Sequence, residues 1–101
     1  MAMTQMRVDE HGAVVISVPG RFDFSVHKQF RDAYRDTPGK GTVYRVDLGQ
    51  TEYMDSSALG MLLLLREHAG GDDARVSIAN ASEPVKKVLE IANFHRLFEI
   101  V

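Results

Sequence analysis

The chain has 101 residues, of which 45% are hydrophobic and 26% are charged, and its formal net charge is -2. This is the composition of an ordinary globular protein with room for one core, so we expect residues 1–101 to form a single domain. The charge balance gives no indication of the basic surface that binds nucleic acid. Because cysteine is absent, disulfides, thiolate metal sites and thiol nucleophiles are excluded.

The start of the chain and its longest apolar run both bear on membranes. Residues 1–6 have neither a basic start nor a long apolar core, so they predict no signal peptide and no lipidation. The longest apolar run, Ala58–Leu65, is far shorter than the roughly 20 residues that a membrane helix needs. We therefore expect no membrane insertion and a cytoplasmic location.

The first half of the chain predicts two strands, a helix and a further strand. Met6–Val8 and the β-branched segment Ala13–Val18 predict a hairpin. Ser25 can cap a helix that ends before Pro38, and Thr42–Leu48 alternates in the manner of a strand. The apolar positions of that helix recur at helical spacing: Val26, Phe30, Ala33 and Tyr34.

The second half predicts two helices and two strands. A helix over Ser57–Ala69 ends at Gly70, which suits a C-cap, and Arg75–Ala79 predicts a short strand. Ser82 begins the next helix, which carries a proline in its first turn, and Phe98–Val101 predicts the last strand. The buried stripe predicted for this last helix is Val85, Val88, Leu89 and Ala92.

The order of predicted elements is β-β-α-β-α-β-α-β. Strands separated by helices favour an α/β fold with crossover connections, and the first hairpin makes the sheet mixed. We predict one mixed sheet of about four to five strands. Because Met61–Leu65 is apolar on every face over more than one turn, its helix should be central and buried.

The sequence lacks the patterns of enzymes and metal sites. Its glycines match neither the phosphate-loop spacing nor the dinucleotide spacing, and the residues around Ser56 do not form the G-x-S-x-G elbow of serine hydrolases. No two histidines stand at metal-ligand spacing, so we expect surface or half-buried side chains at His11, His27, His68 and His95. We predict no enzyme, no catalytic residue, no metal and no cofactor.

Asp55, Ser56 and Ser57 form a polar stretch directly in front of the most apolar helix. One explanation is structural, in which Asp55 or Ser56 is the N-cap and Ser57 is simply small. The other is functional, because a serine exposed at the positive end of a helix dipole can carry a phosphate stably. Tyr53 and Met54 would then lie near an apolar patch of the size that a partner covers.

The stretch Tyr53–Gly60 resembles the phosphorylation motif of the STAS domain family, the bacterial anti-sigma factor antagonists, in which D-S-S/T-G/A-L-G follows a strand. Gly20–Asp23 stands where this family has a G-E-L-D loop, and Val46–Gly49 resembles the strand that leads into the motif. Val85–Phe98 resembles the family's closing helix and the entry to its last strand. The resemblance covers nearly the whole chain and implies a single STAS-like domain.

The resemblance also implies a partner switch. In such families the unphosphorylated protein binds an anti-sigma factor, or a related serine kinase or regulator, and phosphorylation releases that partner until a serine phosphatase restores binding. The motif implies that Ser56, the first serine after the acid, is the phosphoacceptor. Ser57 is then mainly a buried or capping hydroxyl. We expect a monomer, with at most a weak dimer.

Two strand-to-helix loops emerge at the same end of a sheet when their strands run parallel, so we expect Gly20–Asp23 and Tyr53–Ser56 to lie side by side. Phe24 could instead fold inward as core, and Asp23 could help to cap the first helix. The partner-binding residues predicted for this surface are Asp23, Phe24, Tyr53, Met54, Asp55 and Ser57.

Three features depart from the family pattern, the first being that Phe24–Val26 replaces the usual small and hydroxyl residues after the loop. Arg21 stands where an acid is usual, and the chain ends at Val101, which leaves no residues for the family's common C-terminal helix. Two other functions stay open on the same fold. One is a nucleotide or small-anion sensor whose helix start receives the anion. The other is a non-switching scaffold subunit of a signalling complex, in which the serines merely cap.

Overall fold

The computed structural model describes residues 3–101, which form seven β-strands and three α-helices. The strands are β1 (Gln5–Val8), β2 (Val14–Ser17), β3 (Gly20–Phe22), β4 (Val43–Asp47), β5 (Thr51–Met54), β6 (Arg75–Ala79) and β7 (Glu99–Ile100). The α-helices are α1 (His27–Arg35), α2 (Ser56–His68) and α3 (Glu83–Ile91). Short 3-10 turns lie at Phe24–Val26, Gly71–Asp73 and Phe94–Arg96.

The main sheet has five strands in the order β1-β2-β4-β6-β7. β1 pairs antiparallel with β2, and the other three pairings are parallel. Parallel neighbours cannot be joined by a tight turn, so the helices carry the crossovers between them. The predicted α/β fold with one mixed sheet of four to five strands is confirmed.

β3 and β5 form a separate two-stranded parallel sheet, which the sequence analysis did not predict. β3 follows β2 almost directly, and β5 follows β4 after a short turn. Gly20 begins β3 with φ of 77°, a conformation that glycine adopts without steric cost, so the chain can bend there. The segments predicted as free loops at Gly20–Asp23 and Tyr53–Ser56 therefore begin as paired strands.

The core lies between the helices and one face of the main sheet. Phe30 and Tyr34 of α1 and Val85 and Leu89 of α3 are buried there, as their helical spacing predicted. Alternate residues of β2, β4 and β6 complete this core: Val14, Ile16, Tyr44, Val46, Val76 and Ile78. Because side chains alternate across a strand, the residues between them lie on the opposite face of the sheet.

The prediction that α2 is central and buried was wrong for its outer face. Leu63 is 38% exposed and Leu64 is 55% exposed. A helix that packs on one face of a sheet buries one stripe, so four consecutive leucines cannot all face inward. The buried positions of α2 are Ala58, Met61, Leu62 and Leu65.

No helix within residues 3–101 is long and apolar enough to cross a bilayer. In the same range, no group of three or more histidine, aspartate or glutamate side chains could hold a metal ion.

Thr51 supports the junction between the two sheets. Its side chain is buried, and its hydroxyl donates to the carbonyl of Val18 at 2.5 Å. Replacing Thr51 with valine removes this donor and leaves a buried carbonyl without it. We expect the free energy of unfolding to fall by about 1–3 kcal/mol in urea denaturation. Thr51→Ser keeps the hydroxyl and should recover most of the loss, whereas wild-type stability in Thr51→Val would contradict the assignment.

Candidate functional site

β3 and β5 end side by side, because their parallel pairing places Phe22 opposite Met54. Each strand is followed by an aspartate, a variable residue and a serine, which are residues 23–25 after β3 and residues 55–57 after β5. The two predicted segments thus meet at the same end of the fold, as parallel strands require.

Asp55 is the N-cap of α2. Its backbone is extended, and its Oδ1 accepts hydrogen bonds from the Ser57 backbone N–H at 3.0 Å and from the Ser57 hydroxyl at 2.5 Å. Aspartate suits this position because the first backbone N–H groups of a helix have no partner inside it. The structure therefore places Asp55 and the half-buried Ser57 within the helix cap.

Asp23 makes the same arrangement after β3. Its Oδ1 accepts from the Ser25 backbone N–H at 2.9 Å and from the Ser25 hydroxyl at 2.5 Å. Asp23, and not Ser25 as predicted, therefore caps the turn that leads into α1. The hydroxyl of Ser25 is the main cause that lowers the pKa of Asp23, followed by the Ser25 backbone N–H and by Arg21.

Ser56 and Phe24 occupy equivalent positions, each the first residue after a capping aspartate. Ser56 is exposed, and within residues 3–101 its hydroxyl makes no hydrogen bond. Phe24 is 69% exposed and stacks on His27 with 4.8 Å between ring centroids. The alternative in which Phe24 folds into the core is therefore wrong.

Arg21 joins the two strand ends. It is the register partner of Tyr53, and its guanidinium carbon lies 4.1 Å from the centroid of the Tyr53 ring. Its Nε also lies 3.1 Å from Oδ2 of Asp23. Both contacts hold the side chains of the two strands over one surface. We call this surface the strand-end patch, and it comprises Arg21, Asp23, Phe24, Tyr53 and Ser56.

The structural role of Arg21 was not predicted from the sequence, in which this residue is only a departure from a family pattern. The proximity of Arg21 to Asp23 could have been predicted, because residues two apart in an extended segment lie on the same face. The contact between Arg21 and Tyr53 could not be predicted from the sequence, because it depends on the register between β3 and β5.

Met54 does not belong to this surface, which corrects its place among the predicted partner-binding residues. Its side chain is 6% exposed and is part of the core. Tyr53, the residue before it in β5, is exposed. The alternation of side chains along a strand explains the difference, because adjacent residues point to opposite faces.

The geometry of α2 defines the chemistry that Ser56 can support. Its hydroxyl lies at the start of a 13-residue helix, where the positive end of the helix dipole favours an added negative charge. The cap beside it is already complete through Asp55 and Ser57. A group attached to the Ser56 oxygen therefore need not displace any hydrogen bond that begins the helix.

Comparisons with known proteins agree with this fold and motif. The family model described as "Mlab, STAS domain" matches residues 6–100. The chain is 50% identical over 100 residues to a STAS-domain containing protein of Pseudomonas aeruginosa (strain UCBPP-PA14), covering 99% of each chain. The chain belongs to the STAS domain family.

Solved structures with low sequence identity share the fold. The anti-sigma factor antagonist SpoIIAA in its unphosphorylated form matches with a TM-score of 0.74 and 22% identity, covering 97% of this chain and 86% of that one. The phosphorylated form of SpoIIAA, described as a Bacillus cell fate determinant, matches with a TM-score of 0.72 and 20% identity, covering 97% and 90%. The fold is thus that of anti-sigma factor antagonists.

The two residues at the start of α2 should differ in their effect on stability. Asp55→Ala removes the acceptor of both cap hydrogen bonds, so we expect the free energy of unfolding to fall by about 1 kcal/mol. Ser56→Ala removes no intramolecular hydrogen bond and should change it by less than about 0.5 kcal/mol. Urea denaturation measures both, with Asp55→Asn as the control that keeps a capping oxygen. A cost for Ser56→Ala equal to that for Asp55→Ala would place the cap on the serine.

The cap at Asp23 should be visible in its titration. Its pKa in the folded protein lies below the ordinary value of 3.8. The ionised carboxylate therefore stabilises the fold above the unfolded-state pKa, and this stabilisation is lost as the pH falls through the folded-state pKa. Ser25→Ala should raise the pKa of Asp23, measured by NMR of the side-chain carboxyl carbon, whereas Ser25→Thr should keep it low. The same midpoint in Ser25→Ala and the wild type would refute the role of the hydroxyl.

Proposed function

We propose that this protein is an anti-sigma factor antagonist that works as a phosphorylation-controlled partner switch, with Ser56 as the phosphoacceptor. The observation that carries the proposal is the exposed Ser56 hydroxyl, unbonded within the described chain, at the first position of α2. In this proposal the protein is a cytoplasmic binding module and not an enzyme. A serine kinase adds the phosphate and a serine phosphatase removes it.

The contrast between the two serines supports Ser56 as the modified residue. Ser57 is half-buried, and its hydroxyl donates to Asp55. A phosphate on Ser57 would break that hydrogen bond and place negative charge against the Asp55 carboxylate. Ser56 presents its hydroxyl to solvent, where the active site of a kinase can reach it.

The strand-end patch is the surface on which such a phosphate would act. Phe24 and Tyr53 are exposed aromatic residues, a type enriched in protein interfaces. A phosphate on Ser56 would add about −1.5 to −2 charges and three strong acceptors beside them. In the proposed switch, this charge and bulk prevent an anti-sigma factor, or a related kinase-type regulator, from packing on the patch.

The outer face of α2 extends this proposed interface. Positions 56, 60, 63, 64 and 67 are exposed and recur at helical spacing, so they form one face that begins at Ser56. Leu63 and Leu64 make its middle part apolar. A partner that covers both the strand-end patch and this face would bury these leucines, which the fold of the single chain leaves in water.

Phosphorylation and partner release can be tested together. The protein is purified from its own cells and incubated with ATP and its kinase. Its intact mass should then show one added phosphate, and phosphopeptide mapping should place that phosphate on Ser56. Ser57→Ala should still be phosphorylated, and Ser56→Ala should not. In calorimetric titrations with the anti-sigma factor, Ser56→Ala should bind as the unmodified protein does, and phosphorylated protein should bind at least about tenfold more weakly.

The matched control in this experiment is Ser82→Ala. Ser82 also begins a helix but makes no side-chain cap hydrogen bond, so its loss should affect neither phosphorylation nor binding. Phosphate mapped to Ser57 would overturn the choice of residue. Equal affinity of the phosphorylated and unphosphorylated proteins would leave only the non-switching scaffold function. ATP binding without phosphate transfer would favour the sensor function.

A further inference from the structure

Gly60 lies at the centre of the outer face of α2, one turn after Ser56 and one turn before Leu64. Residues four apart in a helix are neighbours on its surface, so these three residues form one row along the helix. A hydroxyl side chain, a residue without a side chain and a leucine follow one another in this row. The row therefore has a gap at Gly60, bordered by Ser56, Leu63 and Leu64, which we call the glycine notch.

The fold of the chain does not require a glycine at position 60. A Cβ atom at this position would meet no atom of residues 3–101 within 4 Å, apart from its chain neighbours and the backbone of its own helix. Gly60 is part of the regular helix α2, in a backbone conformation that alanine adopts as well. At Gly39, by contrast, a Cβ atom would lie 2.6 Å from the carbonyl oxygen of His68, so packing within the chain demands that glycine.

Gly60 also weakens the helix in which it stands. A glycine inside a helix is less favourable than an alanine, because glycine loses the most backbone freedom on folding. Gly60 is the fifth residue of the 13-residue helix α2, away from the C-terminal cap where glycine is favoured. What glycine offers at such a position is room for another backbone to come close.

The surroundings of the glycine notch restrict what can enter it. Leu63 and Leu64 are exposed beside the gap, so the surface is apolar. The backbone groups in the middle of a helix are bonded within that helix, so a strand cannot add to this face through main-chain hydrogen bonds. A second helix suits the notch, because a ridge of its side chains fits the gap while the two leucines fill its grooves.

We propose that Gly60 is the point of closest approach between α2 and an amphipathic helix of the anti-sigma factor. This proposal rests on the partner switch proposed above and names the residue that sets how closely the partner packs. The occupant follows from continuity, because the outer face of α2 begins at Ser56, which belongs to the strand-end patch. The apolar side of the partner helix covers Leu63 and Leu64 in the complex.

The same contact gives a physical reason for release by phosphorylation. Side chains four apart on a helix have their Cβ atoms about 5–6 Å from each other, so a phosphate on Ser56 would stand beside the glycine notch. A partner helix that packs closely at Gly60 cannot withdraw from this phosphate without losing its contacts with Leu63 and Leu64. One added group on Ser56 therefore displaces the whole partner helix.

The test uses the full chain and the anti-sigma factor that co-purifies with Ser56→Ala from the protein's own cells and is identified by mass spectrometry. In calorimetric titrations, Gly60→Ala should bind this partner at least about fivefold more weakly than the wild type, and Gly60→Gln more weakly still. Circular dichroism melting should show a higher Tm for Gly60→Ala than for the wild type, because alanine is the better helix former. A variant that is more stable but binds less well cannot owe the loss to damaged folding.

Two further variants complete the design. Lys87→Gln is the matched control, since it places a glutamine at an exposed position of α3, and it should bind as the wild type does. In Ser56→Asp, the additional loss of affinity caused by Gly60→Ala should be smaller than in the wild type, because both changes obstruct the same contact.

The outcomes separate this proposal from the switch on which it rests. If phosphorylation weakens binding but both Gly60 variants bind as the wild type does, the role of Gly60 is overturned and the switch stands. If no anti-sigma factor co-purifies, or phosphorylation leaves its binding unchanged, the switch and this proposal both fail. An equal loss of affinity in Lys87→Gln would overturn the role of Gly60 as well. Dimers in sedimentation that Gly60→Gln abolishes would assign the notch to a second copy of the chain and overturn the proposal.

Discussion

The parallel pairing of β3 with β5 is the constraint on which the candidate site depends. β2 and β4 already run side by side, and their continuations bend away and pair again as a second small sheet. The bend is closed by two hydrogen bonds, from the Gly20 backbone N–H to the Gln50 carbonyl and from the Thr51 hydroxyl to the Val18 carbonyl. This pairing sets the two aspartate caps next to each other.

Each cap uses an aspartate and the second residue after it, and leaves the residue between them outside the cap. A single oxygen of Asp55 holds both donors of Ser57, so the start of α2 is complete without Ser56. The same geometry at Asp23 and Ser25 leaves Phe24 free to project into solvent. Substitution of a residue outside the cap should therefore cost little stability.

The strand-end patch is built by contacts between its own side chains. The strand-end patch combines aromatic rings with a capping carboxylate and a guanidinium that is already paired.

The sequence alone determined the element types and the motif. Alternation, helical spacing and turn residues predicted the hairpin, the three helices and the parallel crossover sheet, because local backbone preferences and a one-sided core impose those periods directly. The stretch from Asp55 to Ser57 predicted the start of α2, because capping chemistry is local. The same residues carried the resemblance to the family.

Only the tertiary structure decided which side chains reach the surface. β3 and β5 are short and gain their pairing from each other across about thirty residues, a contact that no local pattern encodes. That pairing turned Met54 inward, and the packing of α2 on one sheet face turned Leu63 and Leu64 outward. The hydroxyls of Ser56 and Ser57 also differ for a geometric reason, because the hydrogen bond to Asp55 occupies the hydroxyl of Ser57 while Ser56 is exposed.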